Sequence, residues 1–138
     1  MSNSIATVQE LYAAFGRGDI PAIMSSLADD VVWESEAPAI ISFGGIRHGK
    51  TETQDFFAGL AKDHSNPLLT IAEIISSGDT VMAIGRYTAT VKATGRKLDS
   101  PIAHYWKLRD GKIVRYVGLF NTGAAVEAMQ PLSAGASG

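Results

Sequence analysis

The last third of the chain constrains the fold most, because it has the pattern of antiparallel strands joined by tight turns. Three segments, 80–91, 97–109 and 112–120, are strand-like in composition and are separated by turn residues. Asp110-Gly111 stands between the last two and favours the type I′ turn of a two-residue hairpin. A curved antiparallel sheet needs a cover over its apolar face, so we expect helices to supply it.

Helical patterns occur mainly in the first half of the chain. Apolar residues at helical spacing predict a first helix over 5–15. Asp19 is expected to cap a short second helix. Thr51 and Gln54 have capping-box spacing and are expected to open a third helix, which Asn66-Pro67 would end.

The order of the elements indicates the fold class. Residues 31–36 form a β-rich run before the third helix, 68–75 begin the later strands, and 124–129 are helical in pattern. Helices, a strand, a helix and then antiparallel strands predict an α+β fold with the helices on one face of a bent sheet. We expect a single domain over 1–129 and a disordered tail over 130–138, which is small, polar and glycine-rich.

Composition excludes several functions. The 138 residues include no cysteine, which rules out disulfides, thiolate metal sites and cysteine nucleophiles. The three histidines have no regular ligand spacing, so we expect no metal site. The sequence has no phosphate-binding or dinucleotide-binding motif, so we expect no cofactor. The net charge of −2 and the absence of a long apolar run indicate no nucleic-acid partner and no membrane span. The first residues lack the pattern of a secretion signal, so we expect a cytoplasmic protein.

Arg86 is the first candidate for function, because it interrupts an otherwise apolar or small strand. A guanidinium at such a position must be paired or reach water, since burying it alone is costly. One interpretation is a structural ion pair with Glu34 or Glu36. The other is an anchor for a carboxylate, phosphate or enolate in a pocket.

The first strand offers two carboxylates and an aromatic wall. Glu34 and Glu36 share one face, where each can shift the pKa of the other as general acids and bases require. The alternative is that both are solvated at the strand end. Trp33 and Ser35 share the other face, and we expect Trp33 in the core or in a pocket wall.

The strand 97–109 divides its side chains between two faces. Ile102, His104 and Trp106 share one face, which we assign to a partner chain or the core. The apolar character of that face predicts a homodimer. Tyr105 lies on the opposite face and is a candidate hydrogen-bond donor to a ligand carbonyl.

Four runs of sequence together resemble the NTF2-like superfamily, closest to its SnoaL-like, ketosteroid-isomerase-related branch. They are 9–19, 27–33, 47–50 and 108–114. The resemblance covers 5–129. It implies a cone of about three helices packed on a strongly curved, mostly antiparallel sheet that encloses an apolar pocket. It also implies a homodimer through the outer sheet face.

The catalytic aspartates of these relatives are missing here. The tyrosine and the two aspartates of steroid isomerases align with Leu11, Ser35 and Ala103. Leu11 cannot donate a hydrogen bond to a dienolate oxygen, and Ser35 cannot shuttle the proton as a carboxylate does. In limonene-epoxide hydrolases the arginine of the Asp-Arg-Asp group aligns with Arg86, and the aspartates align with the residues Thr88 and Gly118.

Three functions remain open from the sequence. The first is an isomerase, cyclase or hydrolase step on a small hydrophobic molecule that bears a carbonyl or an acid, with Arg86, Tyr105 and Glu34 as candidate catalytic residues. The second is a binding module without catalysis, and the third is a structural dimer with a vestigial cavity. The candidate ligand-binding residues are Trp33, Ser35, Tyr87, Ala103, Gly118 and Phe120.

Overall fold

The computed structural model describes residues 4–38 and 40–130. Within them the chain forms four helices and six strands. In chain order these are α1 Ser4–Gly16, α2 Ile20–Ser25, β1 Leu27–Ser35, β2 Gly45–His48, α3 Gly49–Asp63, β3 His64–Ser77, β4 Thr80–Val91, β5 Lys97–Arg109, β6 Lys112–Phe120 and α4 Thr122–Ala128. Apart from Gln130, the predicted tail over 130–138 lies outside the described residues.

All six strands form one curved sheet in the order β2-β1-β6-β5-β4-β3. Only β1 and β6 pair in parallel, and every other pair is antiparallel. β3 is bulged twice, which bends a long strand. The first bulge is at Asn66-Pro67, where Asn66 has a φ of 53°, and the second lies between Ile71 and Glu73. The α+β prediction is confirmed, but Asn66-Pro67 bends a strand rather than ending a helix.

The hairpin between β5 and β6 forms as its sequence predicts. Asp110 and Gly111 have φ values of 52° and 77°, the left-handed conformations that a type I′ turn needs at both central positions. Asp19 also caps α2 as predicted, because its Oδ1 accepts a hydrogen bond of 3.1 Å from the backbone N–H of Ala22.

The start of α3 differs from the prediction. The helix begins at Gly49, two residues before Thr51. The Glu52 carboxylate accepts a hydrogen bond of 2.8 Å from the backbone N–H of His48, the N-cap residue four positions earlier. Gln54 therefore has no part in the cap.

On β5, the side chains that were predicted to face a partner chain or the core point inward. Ile102, His104 and Trp106 are buried, with 7%, 8% and 1% of their surface exposed. They face α1 and the core rather than a second chain. The inner face of the sheet, covered by α1 and α3, therefore includes these residues together with Trp33, which is 2% exposed. No helix in the described part of the chain is long and apolar enough to cross a membrane.

Candidate functional site

An aromatic cavity lies between the inner face of the sheet and the helices α1 and α3. Its volume is about 90 Å³, several times what one water molecule needs. The chain has two tryptophans, four tyrosines and five phenylalanines, and all of them except Tyr105 line this cavity. Among the described residues, no aspartate, glutamate, lysine or arginine lines it. The site therefore favours a small, flat and uncharged ligand.

Three polar side chains are linked at one wall of the cavity. Trp106 Nε1 donates a hydrogen bond of 3.0 Å to Tyr12 Oη, and Tyr12 Oη lies 2.8 Å from His104 Nδ1. Tyr12 comes from α1, while His104 and Trp106 are two residues apart on β5 and so share a face. The Tyr12 and His104 rings are also stacked, with centroids 5.8 Å apart. These contacts hold the imidazole in one orientation.

Burial keeps these groups uncharged. Loss of solvent around the imidazole lowers the pKa of His104 to about 4. Burial also raises the pKa of Tyr12 and the pKa of Tyr116 well above that of a free tyrosine. At neutral pH the wall therefore consists of a neutral imidazole and neutral phenols.

A polar row crosses three strands on the inner face. Gly118 of β6 pairs with Ser35 of β1 on one side and with His104 of β5 on the other. A Cβ atom at position 118 would overlap the Tyr116 hydroxyl. The missing side chain thus lets this hydroxyl lie in the row, between Ser35 and His104.

A second histidine–tyrosine pair also reaches the cavity. Tyr87 lines the cavity, and its hydroxyl lies 2.9 Å from Nδ1 of His64. Burial lowers the pKa of His64 as well. The Tyr87 hydroxyl is therefore already engaged by the protein, unlike the hydroxyls of Ser35 and Tyr116, which have no partner among the described residues.

A second groove meets the cavity at one wall. Its volume is about 410 Å³, and it is bounded in part by Gly18, Gln54 and Pro67. Phe15, Phe57 and Leu60 line both spaces, so these side chains separate them.

The candidate catalytic residue Arg86 lies on the outer face of the sheet. Its Nε is 2.6 Å from Oδ1 of Asp99, and both side chains are more than half exposed. This is the ion pair that one interpretation predicted, with Asp99 in place of Glu34 or Glu36. Strand parity is the reason, because Tyr87 rather than Arg86 faces the cavity.

Glu34 and Tyr105 also lie away from the cavity. Glu34 pairs with Arg115 at 2.9 Å on the outer face. A hydrogen bond with Glu34 raises the pKa of Glu36, as the shared face suggested, but neither carboxylate lines the cavity. Tyr105 is the cross-strand partner of Met82 on the outer face. The structure therefore brings none of the three candidate catalytic side chains to the cavity.

Five of the six candidate ligand-binding residues line the cavity: Trp33, Ser35, Tyr87, Gly118 and Phe120. Ala103 does not, because it lies on the outer face between Ile84 and Leu119. The alignment of Ala103 with a catalytic aspartate therefore falls on the wrong face of β5.

Tyr12 and Tyr116 are two polar cavity residues that sequence reasoning did not assign to the site. A signal existed for both. Tyr12 follows Val8 by four residues, which places it beside the buried stripe of α1. Tyr116 has the same strand parity as Gly118, a position already assigned to the cavity.

Comparisons with known proteins agree with this architecture. An NTF2-like protein of unknown function from Burkholderia pseudomallei has a TM-score of 0.87 and 29% identity, over 94% of this chain and 99% of that one. One from Burkholderia thailandensis has a TM-score of 0.86 and 29% identity, over 95% and 100%. TerC, crystallised with polyporic acid, has a TM-score of 0.84 and 29% identity, over 93% and 98%. A search of the curated proteins gave no match.

The family assignment follows from the sequence match and from this fold together. The SnoaL-like domain matches residues 8–116, most of the chain. The resemblance noted in the sequence is therefore confirmed, and the protein belongs to the SnoaL-like domain family of NTF2-like fold.

Proposed function

We propose that this protein binds a small hydrophobic molecule with a carbonyl or acidic oxygen in the aromatic cavity. The observation that carries this proposal is a cavity walled by aromatic rings with one polar row and, among the described residues, no charged side chain. Such a cavity gains free energy by burying aromatic surface and fixes the ligand through a few hydrogen bonds. An open cavity also argues against a purely structural role.

An isomerase or cyclase step on this ligand is the chemistry that the cavity favours. Both need an oxygen that is polarised as the reaction proceeds, and the His104 imidazole in the cavity wall can donate a hydrogen bond to it. A hydrolase step is less well supported, because no carboxylate lines the cavity to activate a water molecule. The lack of a carboxylate equally supports the second candidate, a binding module without catalysis.

The likeness to TerC supports the ligand class. TerC was crystallised with polyporic acid, an aromatic hydroxyquinone, and shares 29% of its residues with this chain. A ligand of that kind combines flat aromatic surface with ring oxygens. These are the two features that the cavity of this chain is suited to bind.

We also propose a homodimer through the outer face of the sheet. Four large apolar side chains there are at least 40% exposed: Ile75, Met82, Ile84 and Leu119. They come from β3, β4 and β6, on either side of Ala103 and Tyr105. A monomer rarely exposes so much adjoining apolar surface.

Intrinsic fluorescence tests ligand binding directly, because both tryptophans of the chain line the cavity. Titration with polyporic acid should quench this fluorescence to saturation. Ser35→Leu fills part of the cavity and should weaken binding at least tenfold. Arg86→Ala removes an exposed side chain of the outer face and should bind like the wild type.

Two results would contradict the proposal. One is the absence of saturable quenching in the wild type. The other is equal binding by wild type and Ser35→Leu, since a ligand in the cavity must sense a side chain added to its wall.

A further inference from the structure

The cavity contains polar atoms that the protein leaves without partners. His104 uses Nδ1 toward Tyr12, and no described residue hydrogen bonds to its Nε2. The hydroxyls of Ser35 and Tyr116 likewise have no partner among the described residues. Among the described side chains, only Trp33 Nε1 is a fully buried polar atom without a partner, and Trp33 also lines the cavity. The free polar atoms of Ser35, His104 and Tyr116 are therefore accessible rather than enclosed in packed protein. A few such groups in an otherwise apolar cavity point to a ligand with oxygens along one edge.

Donor and acceptor balance favours a proton on Nε2 of the imidazole. An indole N–H can only donate, so Tyr12 Oη accepts from Trp106 Nε1. The Tyr12 hydroxyl proton then has one acceptor within reach among the described residues, which is Nδ1 of His104. A neutral imidazole that accepts at Nδ1 carries its proton on Nε2.

We propose that His104 donates a hydrogen bond from Nε2–H to a carbonyl or enolate oxygen of the ligand. The inference rests on the proposed function and narrows its ligand class to flat aromatic ketones and quinones. His104 contacts the ligand oxygen, and Tyr12 is a positioning residue that fixes the tautomer. A donor aimed at this oxygen polarises a carbonyl and stabilises the enolate formed from it.

The rest of the row supports the same ligand class. The Tyr116 hydroxyl lies over Gly118, one strand away from His104 on the side of Ser35. A hydroxyl can donate or accept, so these two groups tolerate either a carbonyl or a phenol at the far side of the ring. The position at His104 demands an acceptor, and so does Trp33 Nε1–H, which is buried without a partner in the same cavity wall.

The tautomer is tested by long-range proton–nitrogen NMR on uniformly ¹⁵N-labelled protein. The His104 signals are assigned by their loss in His104→Gln. We expect a protonated Nε2 and an unprotonated Nδ1 in the wild type, and a mixture of tautomers in Tyr12→Phe. A protonated Nδ1 in the wild type would overturn the proposal.

Ligand recognition is tested with 1-indanone and indane, which differ at one ring carbon, a carbonyl in the first and a methylene in the second. The net value of one hydrogen bond predicts that the wild type binds the ketone about five- to tenfold more tightly. His104→Gln carries an amide N–H near the position of Nε2 and should keep the preference. His104→Asn ends near Nδ1 and should lose it.

The outcomes separate this inference from the proposed function. Equal affinity of the wild type for the two compounds would overturn the hydrogen bond and leave hydrophobic binding in the cavity intact. Binding of neither indanone, indane nor polyporic acid would overturn both. A ketone preference that survives in His104→Asn would assign the donor to another side chain and also reject the role of His104.

Discussion

At the scale of single residues, the charge state of His104 follows from its burial. The imidazole is surrounded by Tyr12, Trp106 and Tyr116, none of which is charged at neutral pH. Desolvation is therefore unopposed, and it lowers the pKa of the folded protein's His104 to about 4, against about 6.5 in an unfolded chain. The unfolded state binds the proton more readily, so acid favours unfolding.

The difference between these two pKa values predicts that His104 makes its own pH-dependent contribution to the stability of the fold. Its contribution is fully present above pH 6.5 and is lost as the pH falls toward 4, at up to about 1.4 kcal/mol for each pH unit. Urea unfolding of wild type and His104→Gln at several pH values measures it. Relative to His104→Gln, the wild type should lose unfolding free energy as the pH falls from 6.5 to 4.

The comparison with His104→Gln cancels the other titrating groups, including His64, whose lowered pKa has the same sign of effect. Parallel stability curves for the two proteins across this range would contradict the prediction. They would mean that solvent or a carboxylate stabilises the charged imidazole in the folded state.

At the scale of the elements, sequence reasoning succeeded where the signal was local. The turn at Asp110-Gly111 and the cap at Asp19 depend on the conformations and hydrogen bonds of adjacent residues, and both formed as predicted. Strand parity was also correct for β4 and β5. It divides side chains into two sets but does not state which set faces the helices.

The choice between the two faces failed because both faces of the sheet are apolar. Ile84 is half exposed on the outer face of β4, while Val81 is fully buried on the inner face. Composition could not rank these sets, so Arg86 was left open between an ion pair and a pocket anchor, and the face of His104 between a partner chain and the core. Only the packing of α1 and α3 on the sheet, a long-range property, settles the question.

The wall between α1 and α3 supports a prediction about ligand entry. The rings of Phe15 and Phe57 have centroids 6.4 Å apart and separate the cavity from the second groove. Phe57→Leu shortens this wall and should raise the association rate of 1-indanone several-fold, while costing about 1–1.5 kcal/mol of stability. Stopped-flow tryptophan fluorescence measures the rate.

Phe120→Leu is the matched control, because Phe120 lines the cavity but not the groove. It should change the affinity without accelerating association. Equal acceleration in the two variants would place the entrance elsewhere.

At the scale of the whole molecule, the two faces of the sheet have different surroundings. The inner face is closed by helices and holds the cavity, whereas the outer face presents adjoining apolar rows. Ile75 pairs with Met82 in one row, and Ile84, Ala103 and Leu119 follow one another in the next. Burying such a surface is favourable by about 25 cal/mol for each Å² of apolar area removed from water.

A second copy of the chain is the partner that we propose for this surface, and Ile84→Asp tests it. Burying an unpaired carboxylate at the centre of an apolar interface is costly, so the variant should sediment as a monomer at micromolar concentrations where the wild type is a dimer. Ile40→Asp changes a side chain that is equally exposed, at 54%, in the turn before β2, and should remain dimeric. Because the cavity lies on the inner face of the sheet, the monomeric variant should still bind 1-indanone. A monomeric wild type would leave the apolar rows to a different partner, and loss of binding in Ile84→Asp would show that the two faces are coupled through β4.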